Sequence, residues 1–200
     1  MAESTDSRDR LLQALQDPNN DVVAIYGYYY DSIIRHTGIS IKFTNCRRCI
    51  VTSQFIIDVS TDVNGPLKRM QCATWNCEAK IVVNEIDPDE PRYEVTKSPI
   101  AIFPLCQEGT RSDAKRYVER LLVPTSKTFQ LFFNNCRDHT NRAIRGLCCD
   151  GQCRPKGREE ALRNTQARRI GDSLRLFTGV FGYCVAAGVG SLIVYYIFGR

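Results

Sequence analysis

A long uncharged run near the C-terminus is the feature that most constrains this chain. The run covers residues 176–198, follows Arg175 and precedes Arg200. A helix of about 20 predominantly apolar residues crosses the hydrocarbon core of a bilayer. Buried helices of soluble proteins are seldom this long without a charge. The sequence therefore predicts a single transmembrane helix over residues 176–198.

The charges beside this run predict its orientation. Only Arg200 follows the run, whereas five arginines precede it: Arg158, Arg163, Arg168, Arg169 and Arg175. Positive charge is retained on the cytosolic side of membranes, so we expect a single-pass protein whose N-terminal part faces the cytosol. These arginines contribute much of the formal net charge of +5. We interpret them as a contact with anionic membrane lipids, and we expect no nucleic-acid partner.

The rest of the chain fits one domain of the α+β class. Residues 1–20 are predicted as a polar leader, residues 21–153 as the domain and residues 154–175 as a basic connector to the membrane. Within the domain, Ile39, Ile41 and Phe43 alternate with polar residues and predict a strand that begins at His36. A second strand over residues 50–59 would complete a hairpin. Shorter strands are expected over residues 70–76, 79–86, 93–96 and 100–105.

Two helices are predicted in the second half of the domain. The first is expected to be capped by Thr110 or Ser112 and to end before Pro124. The second follows Asn135, and its apolar face contains Ala143 and Ile144. The predicted fold is thus an antiparallel sheet with packed helices, plus the C-terminal transmembrane helix.

Cys136 is the strongest candidate for a nucleophile because it lies at the predicted start of the second helix. A helix N-terminus offers unpaired N–H groups and a partial positive charge, which favour the reactive thiolate. Such a cysteine needs a base, and the chain has two histidines. His139 lies three residues later on the same helix, where an ordinary surface histidine is at least as good an interpretation. His36, at the start of a distant strand, is the preferred base.

Residues 35–41 (RHTGISI) and 129–139 (FQLFFNNCRDH) together resemble a known arrangement. Their order resembles the permuted papain-like fold of the NlpC/P60 superfamily, in particular its lecithin:retinol acyltransferase-like branch and the PPPDE peptidases. The resemblance implies that Cys136 attacks an acyl carbonyl and that His36 is its base. It covers about a third of the chain.

The chain departs from that family at two points. Residues 137–139 replace the family's Glu-His-Phe after the cysteine, and no second histidine follows the strand of His36. Thr52, Gln54 or Asp58 would then have to orient the imidazole, and Gln54 is preferred. The N–H of Cys136 and a neighbouring N–H would hold the oxyanion.

Ten cysteines raise a separate question. A cytosolic domain keeps its thiols reduced, so disulfides are not expected. Cys46-x-x-Cys49 and Cys72-x4-Cys77 form two close pairs, which are candidate ligands of one structural zinc ion. The alternative is a set of separate reduced thiols in a sheet. No other cofactor is predicted.

Three functions remain open from the sequence. The first is a membrane-anchored thiol acyltransferase or hydrolase that acts on lipid acyl groups. The second is a PPPDE-like isopeptidase for ubiquitin or SUMO conjugates, and the third is a catalytically silent membrane adaptor stabilised by zinc. In addition, Gly182, Ala186 and Gly190 recur every four residues and suggest that the transmembrane helix self-associates.

Overall fold

The sheet of the computed structural model is an antiparallel meander. The structure describes residues 2–30, 36–60, 77–87, 94–124, 127–129, 135–149 and 151–165, all within one compact unit that ends at Thr165. The strands are β1 (Val22–Tyr30), β2 (His36–Asn45), β3 (Ile50–Ser60), β4 (Cys77–Glu78), β5 (Lys80–Ile86), β6 (Glu94–Val95), β7 (Ala101–Pro104) and β8 (Thr128–Phe129). The main sheet has the order β5-β3-β2-β1-β6, and β7 also pairs with β1. Strands β4 and β8 form a separate two-stranded sheet.

The described helices complete an α+β fold, as the sequence predicts. They are α1 (Ala2–Gln16), α2 (Thr110–Leu121), α3 (Cys136–Cys149) and α4 (155–165). No described helix is both long and apolar enough to cross a bilayer. The predicted span at 176–198 and its stripe of small residues lie outside the described residues.

The predicted hairpin of β2 and β3 is confirmed, and its alternating residues form the core. Ile39 pairs with Ile57 and Ile41 pairs with Phe55, and each of the four side chains is at most 1% exposed. Successive side chains of a strand point to opposite faces, so these residues share one face of the sheet. The bulge after Phe43 shifts the register before the turn. The weaker strand predicted over residues 70–76 lies outside the described residues.

Residues predicted as a polar leader contribute to the core through α1. Leu11 and Leu15 are at most 1% exposed and belong to the main apolar cluster. Arg111 holds the end of this helix, because its guanidinium donates to the carbonyl oxygens of Leu15, Asp17 and Asn20. An arginine that binds the last carbonyls of a helix satisfies groups that have no partner within the helix.

The start of α2 differs from the prediction. Its N-cap is Gly109, with φ 79°, and no side chain caps the helix. Thr110 is instead the first helical residue and is buried. The prediction that Thr110 or Ser112 caps the helix was therefore wrong, because the sequence pattern did not reveal the left-handed glycine before it.

The first half of the predicted basic connector packs on the sheet as α4. Gly157 lies against Pro99 so closely that a Cβ atom would overlap the proline carbonyl. The carboxylate of Glu160 accepts the N–H groups of Lys97 and Ser98 at 2.8 and 3.2 Å. The close packing of Gly157 and the hydrogen bonds of Glu160 make residues 155–165 part of the domain.

Candidate functional site

The Asn-Cys pair forms the start of helix α3. Asn135 Oδ1 accepts the N–H groups of Arg137 at 2.9 Å and Asp138 at 3.3 Å, and Asp138 Oδ2 accepts the N–H of Asn135 at 3.4 Å. This reciprocal pattern is a capping box, and it explains why the helix begins at Cys136. The carbonyl of Asn135 also accepts the N–H of His139 at 3.2 Å. The first-turn N–H groups of residues 137–139 therefore bind Asn135 rather than an open site.

Strand β2 begins beside Cys136. Thr37 hydrogen-bonds Cys136 through its backbone and its side chain. The hydroxyl oxygens of Thr37 and Thr140 lie 3.4 Å apart, and the hydroxyl of Thr140 donates to the carbonyl of Cys136 at 2.9 Å. The two segments singled out in the sequence thus meet, although about a hundred residues separate them. His36 precedes Thr37 in β2, but its side chain lies outside the described part of the chain.

The thiol of Cys136 is buried and protonated at neutral pH. Its side chain packs with Val59 and Ala79, and the residue is 5% exposed. Burial and, to a smaller extent, the nearby carboxylate of Asp58 raise its pKa to about 12, against the opposing effects of Thr37 and Arg137. The expectation that the helix N-terminus favours the thiolate was wrong, because the loss of solvation and the Asp58 charge outweigh the helix dipole.

Asp58 is the acidic group of this cluster. Burial raises the pKa of its carboxyl from 3.8 to about 7, although the N–H of Val59 donates to Oδ1 at 2.7 Å and opposes this shift. A carboxyl beside a buried thiol disfavours the thiolate, since two neighbouring anions repel each other. Of the three residues proposed to orient the base, Asp58 is the one beside Cys136.

The structure does not bring Gln54 to Cys136. Gln54 Nε2 donates to the Ser40 hydroxyl at 2.9 Å, and both side chains are buried. Gln54 and Val59 alternate onto opposite faces of β3 and lie about 16 Å apart along it, at roughly 3.3 Å per residue. Thr52 is also remote, because its hydroxyl donates to Asn20 Oδ1 at 2.6 Å.

His139 lies in the interior, so the interpretation of it as a surface residue was wrong. It is 4% exposed, and its ring binds the backbone of Leu121 at the end of α2. Burial and, to a smaller extent, the positive charge of Arg142 lower its pKa to about 4, against the opposing effect of the hydrogen bond with Leu121. A neutral imidazole that joins two helix ends has a structural role here.

The predicted zinc ligands fall in different surroundings. Cys46 and Cys49 are free thiols in the exposed turn between β2 and β3, whereas Cys77 is disulfide-bonded, so the expectation that the chain has no disulfide was wrong. Cys72 lies outside the described residues. In the part of the chain that the structure describes, no three His, Cys, Asp or Glu residues converge on one point. The zinc site stays a prediction that requires a reduced Cys77, since a sulfur in a disulfide is not a thiolate ligand.

Comparisons with known proteins identify no relative. No protein-family model, no curated protein and no solved structure matches this chain.

Proposed function

We propose that this chain is a catalytically silent, membrane-anchored adaptor built on an arrangement that resembles a thiol hydrolase. The observation that carries the proposal is the position of Cys136. Its sulfur packs against Val59 and Ala79 and is held by Thr37, in a residue that is 5% exposed. A cysteine nucleophile must instead meet the substrate as a thiolate, in a partly exposed and electropositive site.

The surroundings of Cys136 support this proposal in two further ways. An oxyanion hole needs preorganised N–H donors directed at the developing charge. Here Asn135 accepts the N–H groups of Arg137 and Asp138, so these neighbours of the Cys136 N–H are engaged in the helix cap. A catalytic triad also needs a polar residue that orients the base. Gln54, the preferred candidate, bonds to Ser40 on the other face of the sheet.

A second candidate function is the thiol acyltransferase or hydrolase that acts on lipid acyl groups. One observation favours it: β2 begins at His36, and the next residue, Thr37, hydrogen-bonds Cys136. This juxtaposition is the one that the resemblance requires. In this case His36 would take the proton of the buried thiol, and Asp58, rather than Gln54, would be the candidate that orients the base. The PPPDE-like isopeptidase would use the same residues on a protein substrate.

An acyl-mimicking electrophile such as a β-lactone separates these functions. The full chain, its Cys136→Ala variant and its His36→Ala variant are treated in parallel, and occupancy is measured on the peptide that contains residue 136. Peptide-level measurement is needed because Cys46, Cys49 and Cys106 are exposed and free. For an adaptor we expect no occupancy at Cys136 and equal total labelling of all three proteins.

Labelling of native Cys136 that weakens in His36→Ala would overturn the adaptor proposal in favour of an enzyme. Phospholipid and ubiquitin-conjugate substrates would then separate the acyltransferase from the isopeptidase. The Cys106→Ala variant is the matched control, since it removes an exposed thiol that no candidate mechanism uses.

Membrane anchoring by residues 176–198 is tested separately. We expect the full chain to resist extraction from membranes by alkaline carbonate, and a Val189→Arg variant to be extracted more readily. An arginine at the centre of a span costs about 2.5–3.5 kcal/mol on insertion scales. Gln166→Arg is the control outside the span. Equal extraction of the two variants would contradict the span.

A further inference from the structure

The turn between β2 and β3 holds two thiols at its two ends. Asn45 ends β2 and Ile50 begins β3, so Cys46 and Cys49 are the first and last residues of the connection. The N–H of Cys49 donates to the carbonyl of Cys46 at 3.3 Å, and the thiol of Cys49 donates to the same oxygen at 3.4 Å. Such a turn holds its end Cα atoms within about 7 Å. Disulfides join Cα atoms about 4.4–6.8 Å apart.

Two side chains fix the backbone of this turn. Asn45 Oδ1 accepts the N–H of Arg48 at 3.0 Å, and Asp21 Oδ2 accepts the N–H of Cys46 at 2.8 Å. The two cysteines are therefore held on one ordered turn. This order reduces the conformational entropy that closure of a bond between them would cost.

Cys49 occupies a conformation that favours glycine. Its φ is 53°, and among the described residues it is the one non-glycine residue with a positive φ. The left-handed region is unfavourable for an L-residue, because its Cβ atom comes too close to the following carbonyl oxygen. Glycine or asparagine would adopt it more easily, so a cysteine here points to a use for its side chain.

The charge of the turn suits an anionic reactant. Arg47 and Arg48 lie between the two cysteines and are exposed. Among the described residues neither arginine forms an ion pair, and the carboxylate of Asp21 accepts the N–H of Cys46. Both thiols are exposed and free. A local positive potential attracts small anions such as glutathione disulfide.

We propose that Cys46 and Cys49 form a dithiol site that exchanges with small anionic disulfides and closes into a disulfide across the turn. The thiolate of one cysteine attacks a sulfur of the small disulfide, whose S–S bond breaks and releases one small thiolate. The thiolate of the other cysteine then attacks the protein sulfur of the mixed disulfide and releases the second small thiolate. Two protein thiols are oxidised, one small disulfide is reduced, and the two protons pass to the released thiolates.

This site is independent of Cys136 and of the proposed function. It also competes with the predicted zinc site, because the oxidised pair has no thiolate to offer a metal.

The two arginines make the proposal directly testable. The full chain is incubated with glutathione disulfide, its remaining thiols are alkylated, and the protein is digested with trypsin. Trypsin cuts after Arg47 and Arg48 and so separates Cys46 from Cys49 unless a disulfide joins them. For the wild type we expect disulfide-linked peptides that separate on reduction. Their amount should exceed that of the glutathione mixed disulfide at Cys46 and Cys49 by about tenfold or more.

Three controls define the result. Cys46→Ser and Cys49→Ser should stop at the mixed disulfide with glutathione on the cysteine that remains. Cys106 is an exposed free thiol in the same protein and should also stop at the mixed disulfide. The proposal is overturned if the wild type carries glutathione on separate peptides of Cys46 and Cys49, as Cys106 does, or if neither cysteine reacts.

Discussion

Cysteines lie beside both ends of strand β2, and their surroundings are opposite. At its start, Cys136 is buried against Val59 and held by Thr37. At its end, Cys46 and Cys49 are exposed on a turn. The sequence suggested a reactive thiol at the first end and metal ligands at the second. The difference teaches that burial and neighbouring charge decide what a thiol can do, even where a helix N-terminus would favour its ionisation.

The largest expected effect is a difference in alkylation rate between the two ends. At pH 7 a thiol with a pKa of about 12 is ionised roughly a thousandfold less than a cysteine with an ordinary pKa of about 8.5. We expect iodoacetamide to modify Cys136 of the native full chain at least about a thousandfold more slowly than Cys46. Time-resolved peptide mass spectrometry measures both rates in one sample. Similar rates at the two cysteines would break the comparison.

A second prediction concerns the carboxyl beside the buried thiol. The pKa of Asp58 is raised from 3.8 to about 7, so the folded state favours the protonated acid. The contribution of this carboxyl to the free energy of unfolding is therefore complete below pH 4. As the pH rises to about 7 this contribution is lost, and the loss reaches up to about 4 kcal/mol. We expect Asp58→Asn to remove this loss and to raise the unfolding free energy at pH 7. Urea unfolding across that pH range measures it.

Asp21→Asn is the matched control, because it makes the same substitution at the exposed end of the sheet. An equal change in the pH dependence of Asp21→Asn would contradict the assignment to Asp58. Asp58→Asn should also lower the pKa of Cys136 and so speed its alkylation, which sharpens the comparison between the two ends.

The third prediction has the opposite sign. The pKa of His139 is lowered from 6.5 to about 4, so the folded state favours the neutral ring. Its contribution is complete above pH 6.5 and is lost as the pH falls toward 4, by up to about 3 kcal/mol. We expect His139→Gln, which keeps a donor for the Leu121 carbonyl, to remove this loss.

Because Asp58 and His139 oppose each other between pH 4 and 6.5, each single variant should uncover the pH slope of the other. The His139→Gln protein should lose stability as the pH rises, and the Asp58→Asn protein should gain it. Parallel slopes in the two variants would show that other groups control the pH dependence.

The smallest expected effect lies at the exposed end. Cys49→Gly removes the cost of the left-handed conformation and should raise the unfolding free energy by about 0.5–1 kcal/mol, after allowance for the greater flexibility of unfolded glycine. Cys46→Gly relieves no such strain and should lower it by a similar amount. Denaturant midpoints of the two variants test the pair. Destabilisation by both glycines would show that Cys49 is not strained.

Local sequence patterns predicted much of the fold. The alternation through Ile39, Ile41 and Phe43 gave the correct apolar face of β2, although Ser40 on the opposite face is buried as well. The helix predicted to follow Asn135, with its apolar spacing, corresponds to α3, because these signals lie within a few residues of one another. The burial of α1 and the docking of α4 were not predicted, since Leu11 and Gly157 acquire their partners only from distant segments.

The candidate site was predicted in part. The chain order suggested that the start of β2 and the start of α3 meet, and the contact of Thr37 with Cys136 agrees with this. The choice of Gln54 over Asp58 could not be made correctly from the sequence, because it depends on which end of β3 approaches the helix. The role of His139 was likewise hidden until α2 and α3 were placed side by side.

By itself, the sequence predicted the hairpin of β2 and β3, the start of a helix after Asn135 and the position of the cysteine pair between the two strands, since each follows from residues close together in the chain. Only the tertiary structure decided the chemical state of the thiols. Solvation and charge at a sulfur depend on whatever packs around it, and for Cys136 those groups come from β2, β3 and the residue before β5. At Cys49 the tertiary structure added a backbone conformation that residue identity alone would not suggest.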